Sequence, residues 1–123
     1  MRKLVVFNNV TLDGYFTDAR GDMRWAHNDD AEWTAFAAEN ASGGGVLLLG
    51  RITYDLMASY WPTPAARANA PAVAEGMNRM QKVVFSRTMD KASWQNTTLV
   101  KGDNVYGIGR RLVMEGVAVE VST

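Results

Sequence analysis

VLLLGRITYDLM, residues 46–57, passes through four apolar residues without interruption, turns at Gly50 and Arg51, and continues with the period of a helix. An unbroken apolar run of this length fits a strand covered on both faces of a sheet. Beyond the turn, Tyr54, Met57 and Ala58 fall on one helical face, and Pro62 and Pro64 stop the helix soon after Tyr60. A strand that enters a helix through a glycine is the basic joint of an α/β fold. In open α/β sheets, ligands sit beyond the carboxyl ends of the strands, where helix N-termini offer backbone N–H groups to an anion. Gly50 lets a phosphate approach the backbone, Arg51 adds charge-assisted hydrogen bonds, and Thr53 has a hydroxyl in the first turn. Such a corner also arises from chain geometry alone.

Working outward, LVVF (4–7) and KVVFS (82–86) repeat the apolar pattern, and TTLV (97–100) and the alternating VAVEV (117–121) complete a set of strands. Between the first two strands, DDAEWTAFAAEN aligns Trp33, Phe36, Ala37 and Asn40 on one stripe, which predicts a helix over 30–41. Asp29 and Glu32 have the spacing of a capping box at its start. The segment 61–76, rich in Ala, Pro and Gly, is expected to be a long surface connection with one helical turn, and 103–115 is weakly helical. The alternation of strand and helix predicts one α/β domain over residues 1–123, a three-layer sandwich around a mostly parallel sheet. A second corner, Ser86-Arg87-Thr88, follows the third strand with a hydroxyl, a guanidinium and a hydroxyl. That set suits a phosphate monoester such as the 2′-phosphate that separates NADP from NAD.

Composition narrows the classes of function. The 123 residues hold 13 basic and 13 acidic side chains, with no run of one sign that could track a phosphate backbone or an anionic membrane, so nucleic acid is not an expected partner. There is no cysteine and one histidine, His27, so no metal site is expected. The apolar stretch near the start is four residues long, and no span approaches the roughly 20 residues that cross a bilayer. A soluble, cytoplasmic chain is expected.

Taken in order, LVVFNNVTLDGYF (4–16), MRWAH (23–27), LLLGRITYDLM (47–57), KVVFSRT (82–88) and LVKGD (99–103) resemble the dihydrofolate reductase-like superfamily. The similarity is closest to the reductase domain of the riboflavin-biosynthesis deaminase-reductase and its stand-alone bacterial relatives. The resemblance implies an NADPH-dependent reductase of a pterin-like or ribosylaminopyrimidine-like heterocycle. It implies that Gly50, Arg51 and Thr53 hold the cofactor's phosphates and that Ser86, Arg87 and Thr88 surround the adenosine 2′-phosphate. It also sets the turn TLDG (11–14), with Thr11 and Asp13, beside nicotinamide and substrate, and Trp25 on a loop flanking the active site. Asp30, five residues beyond that tryptophan, has the spacing of the substrate-binding carboxylate. Asp13 and Asp30 are thus rival catalytic carboxylates. Each has a structural reading as well, Asp13 as a turn residue before glycine and Asp30 in the first turn of a helix. His27 is an alternative proton donor, while Trp33, Trp61, Trp94 and the methionines suit core or pocket wall.

The resemblance ends near residue 103. Chains of this kind continue through a helix, a second glycine-rich turn that grips the pyrophosphate, and further strands. Here NVYGIGRRLVMEG (104–116) leads into VAVEVST (117–123), so the domain is expected to be incomplete at its C-terminus. A last strand left at a sheet edge has unpaired N–H and C=O groups, which predicts a homodimer or larger. The alternative to a reductase is a catalytically degenerate nucleotide-binding or oligomeric interaction module.

Overall fold

In the computed structural model, which describes residues 3–26, 30–101 and 118–122, the stretch VLLLGRITYDLM is strand β2 (Val46–Gly50) running directly into helix α2 (Arg51–Tyr60). Before it come strand β1 (Lys3–Phe7), a single 3₁₀ turn (Arg24–Ala26) and helix α1 (Ala31–Ser42). After it come helices α3 (Pro64–Asn69) and α4 (Pro71–Arg79), then strands β3 (Gln81–Phe85), β4 (Thr97–Val100) and β5 (Ala118–Ser122). The sheet order is β1-β5-β2-β3-β4. β2, β3 and β4 pair in parallel, whereas β5 is antiparallel to both of its neighbours, so β1 points the same way as β2. The architecture is α/β with a mostly parallel sheet, as a dihydrofolate reductase-like fold requires.

The core lies on one face of the sheet. Leu47 and Leu49 of β2 and Val84 of β3 are buried with Tyr54 of α2, Met80 and Trp94. The intervening residues Val46, Leu48, Val83 and Phe85 are only half-buried, so the two faces of these strands are unequally covered. The helical segment expected over 103–115 lies outside the described residues. Nearer the sheet's other end, Phe7 of β1 meets Trp33 and Phe36 of α1 with ring centroids 6.1 and 6.0 Å apart. α1 packs closely on α4: the backbone of Gly76 stands so near Ala41 that a Cβ added there would lie 2.6 Å from the Ala41 carbonyl oxygen.

Three expectations are corrected. Residues 61–76 are not a long surface connection: α3 and α4 occupy most of them, each starting on a proline, Pro64 and Pro71, where a missing N–H and a fixed φ do no harm. The Thr63 hydroxyl caps α3 by accepting the Ala66 N–H, and Ala66, Val73, Ala74 and Gly76 are buried. The first helix is capped by Asp30 in place of Asp29, which lies outside the described residues together with His27. Finally, the last strand is not at an edge. β5 sits between β1 and β2, with Val119 opposite Val6 on one side and Leu48 on the other, and is paired within its own chain along both sides. The unpaired groups that were to draw a second copy to this strand are absent from it.

Candidate functional site

Because β1 to β4 point the same way, the segments that leave their carboxyl ends share one edge of the sheet. Gly50 is in register with Phe85, so the Gly50-Arg51 corner and the Ser86-Arg87-Thr88 corner begin at neighbouring positions on adjacent strands. The Thr11–Tyr15 turn follows β1, which is separated from β2 by β5 alone, or about 10 Å at the usual strand spacing. All the sequence-derived corners therefore meet along one edge.

At the first corner, Gly50 is the N-cap of α2 in extended conformation and supplies no side-chain cap, which leaves the first-turn amides of α2 without a capping acceptor. Arg51 is exposed, with Nη1 at 3.4 Å from Asp55 Oδ2 one turn along. Thr53 is half-buried. At the second corner, Ser86 is buried, and its hydroxyl oxygen accepts the backbone N–H groups of Thr88 (3.3 Å) and Met89 (3.1 Å). Ser86 therefore builds the turn, and Arg87 and Thr88 are exposed upon it. Guanidinium groups, hydroxyls and an uncapped helix start are a donor set suited to phosphate, and the residues fit a phosphorylated dinucleotide on these grounds.

On the β1 side, the Thr11 hydroxyl donates to Asp13 Oδ1 (2.5 Å), and the Tyr15 N–H donates to the Thr11 hydroxyl oxygen (2.9 Å). The Gly14 N–H closes the turn on the Thr11 carbonyl (2.9 Å), with Gly14 at φ 88°, a conformation that favours glycine. Asp13 is exposed at the turn's tip. Trp25, in the 3₁₀ turn, is 44 % exposed, and the loop before it is fixed by Asp18 and Asp22: Arg24 Nε donates to Asp22 Oδ2 (2.6 Å) and holds that carboxyl below its ordinary range. Asp30 is exposed, and its Oδ1 accepts the Glu32 N–H (2.8 Å) as the cap of α1.

Behind these corners is a polar network that the sequence did not reveal. Tyr54, Asn78, Lys82 and Trp94 are all buried. Lys82 Nζ donates to the carbonyls of Met77 (2.7 Å), Met80 (2.6 Å) and Asn78 (3.3 Å) at the end of α4, and lies 4.2 Å from the centre of the Trp94 ring. It neutralises the negative end of that helix, although burial pushes its pKa down to about 8. Trp94 Nε1 donates to Asn78 Oδ1 (2.8 Å), and the Trp94 backbone N–H donates to the Tyr54 hydroxyl oxygen (2.8 Å). These partners are 16 and 40 residues apart, a separation at which no local pattern signals a contact. The one signal available was a lysine directly before the apolar run Val83–Phe85. A shallow groove lined by Arg67, Glu75, Asn78, Arg79 and Gln95 lies at the opposite edge, where β3 and β4 begin, away from these corners. Among the described residues no group of three acidic or histidine side chains is placed to hold a metal, and no helix is long and apolar enough to cross a membrane.

A family model, the RibD C-terminal domain, matches residues 2–106, which spans every corner described above. No curated protein matches the chain. By the extent of that match, the chain belongs to the RibD C-terminal domain family, whose members are the reductase-type domains of riboflavin biosynthesis.

Proposed function

We propose that this domain binds NADPH along the carboxyl edge of its sheet and reduces a pterin-like or ribosylaminopyrimidine-like heterocycle held on the β1 side. The observation that carries the proposal is the register of Gly50 with Phe85, which sets two phosphate-type corners side by side. In this reading the amides after Gly50, with Arg51 and Thr53, hold the pyrophosphate. Arg87 and Thr88 hold the 2′-phosphate on a turn that Ser86 braces. When bound, the cofactor supplies a hydride. The protein's part is to hold the heterocycle near Thr11 and Trp25 and to carry a proton at Asp13 or Asp30. Asp13 shares the edge directly, with the Thr11 hydroxyl orienting one of its oxygens.

A second reading, a nucleotide-binding module without turnover, is supported by the exposure of both carboxylates, since neither is enclosed in a pocket that would exclude water from a reacting heterocycle. Ligand-induced stabilisation tests what both readings share, because a ligand that binds only the folded state raises the melting temperature. NADPH is expected to raise it more than NADH does. Arg87→Ala is expected to weaken NADPH by about tenfold, the loss of one charge-assisted hydrogen bond, and to leave NADH nearly unchanged. Equal losses for both nucleotides would remove the 2′-phosphate from this corner. Oxidation of NADPH on adding a pterin or aminopyrimidine then separates the reductase from the silent module.

A further inference from the structure

The cofactor reading leaves the buried network behind the corners unused. Tyr54 directly follows Thr53 in α2 and is 2 % exposed. A phenol hydroxyl in a core cluster of leucine, valine and methionine is unfavourable unless it is bonded. The bond it makes reaches across the fold, to the backbone N–H of Trp94 at 2.8 Å. Trp94 stands near the end of the segment between β3 and β4, and the start of that same segment is the Ser86–Thr88 turn. Ser86 itself is fixed at the end of β3, its N–H donating to the Val100 carbonyl at 3.2 Å. The 86–96 segment is thus held at its start by the sheet and near its end by Tyr54 of α2 and by Asn78 and Arg79 of α4, with Met89 and Ala92 packed on the core between; Tyr54 is the tie to the helix that carries the first corner.

We infer that Tyr54 is a positioning residue for the dinucleotide: by tying Trp94 to α2, its hydroxyl sets the spacing between the Gly50–Thr53 corner and the Ser86–Thr88 corner, and with it the preference for a 2′-phosphorylated nucleotide. The inference rests on the cofactor reading above. A ligand gripped at two points gains from the second only when the two stand at the matching distance. A segment freed from α2 samples other distances from the corner that α2 carries, through local opening, whereas one freed only from Asn78 of α4 keeps its tie to α2.

Two conservative variants test it, Tyr54→Phe and Trp94→Phe. The first removes the acceptor of the Trp94 N–H. The second keeps that backbone donor and removes the indole's bond to Asn78. Hydrogen exchange of the Thr88 and Met89 amides is measured without nucleotide, and NADPH and NADH affinities by fluorescence titration. Tyr54→Phe is expected to speed exchange at both amides and to lower the NADPH-to-NADH affinity ratio by about fivefold, the loss of one ordinary hydrogen bond. Trp94→Phe is expected to keep the ratio of the unaltered protein, whatever its melting temperature. If the unaltered protein prefers NADPH and Tyr54→Phe keeps that preference, the inference is overturned and the cofactor reading stands. An equal fall in ratio for Trp94→Phe traces the effect to general loosening and overturns it as well. Failure of the unaltered protein to bind either nucleotide overturns the cofactor reading and the inference with it.

Discussion

Lys82 is the residue at which burial and charge conflict most sharply. At 1 % exposure its ammonium has exchanged water for three carbonyl oxygens and an indole face. Its pKa is pushed from 10.5 to about 8 by desolvation. Below pH 8 both folded and unfolded chains hold the proton, and the penalty of burying the charge is present in full. Between pH 8 and about 10.5 the unfolded chain binds more protons than the folded one, so this residue's contribution to stability rises with pH, by up to about 3 kcal/mol across the window. Urea unfolding at pH 7.5 and 10 is expected to show the stability of the unaltered protein rising relative to that of Lys82→Met at the higher pH. A relative fall would mean that the carbonyls hold the proton more strongly than burial expels it. Asp30 poses a different problem, because one carboxylate has both a helix and a substrate to serve. Asparagine caps a helix about as well as aspartate does, whereas alanine in its place costs about 1 kcal/mol. Asp30→Asn is therefore expected to leave the melting temperature almost unchanged, and loss of turnover in that variant reports proton delivery in isolation from the cap. Retained turnover leaves Asp13 as the carboxylate to test.

At the level of elements, the joint between α1 and α4 depends on one glycine. The hypothetical Cβ at Gly76 meets backbone and Cβ atoms of Ala41, which cannot swing aside as the end of a flexible side chain could. Gly76→Ala is expected to destabilise the fold by about 1–3 kcal/mol, the usual range for overpacking, measurable as a lower urea midpoint. Stability equal to that of the unaltered protein would show that α1 can shift away from α4 at no cost. This contact was beyond the reach of the sequence, because the helix that carries it was not recognised. β2 and α2 announced themselves through an apolar run and a clean helical face, and α1 did so through its aromatic stripe. α3 and α4 are six and nine residues long, bury small side chains and begin on prolines that suggested a break. Proline ends a helix from within but suits its first turn, and Thr63 before Pro64 was the capping signal that could have told the two apart. The corners at Gly50 and Ser86 were legible because they are local in sequence. Ser86's duty as the brace of its own turn was not, since a hydroxyl beside an arginine looks the same whether it faces a ligand or its own backbone.

At the scale of the whole molecule, the order of the strands decides which backbone edge is presented to a second chain. The order of strands is non-local information, and VAVEV alternates equally well for an edge strand or an inner one. With β5 inside the sheet, β1 becomes an outer strand among the described residues. Val5, Val6 and Phe7 on it are 47, 56 and 43 % exposed, and the exposed apolar surface continues through Val10, Leu12, Tyr15 and Phe16 in the turn that follows. An outer strand with a row of exposed apolar side chains is a template for pairing, and two copies of one such strand run antiparallel about a two-fold axis. The homodimer expected from the chain's last strand is therefore argued from its first strand instead. Sedimentation at micromolar concentration is expected to give the mass of two chains. Val6→Lys, which sets a charge on that strand without removing a buried group, is expected to give one chain with little change in the urea midpoint. A single-chain mass for the unaltered protein would remove the dimer, and a two-chain mass for the variant would move the interface away from β1.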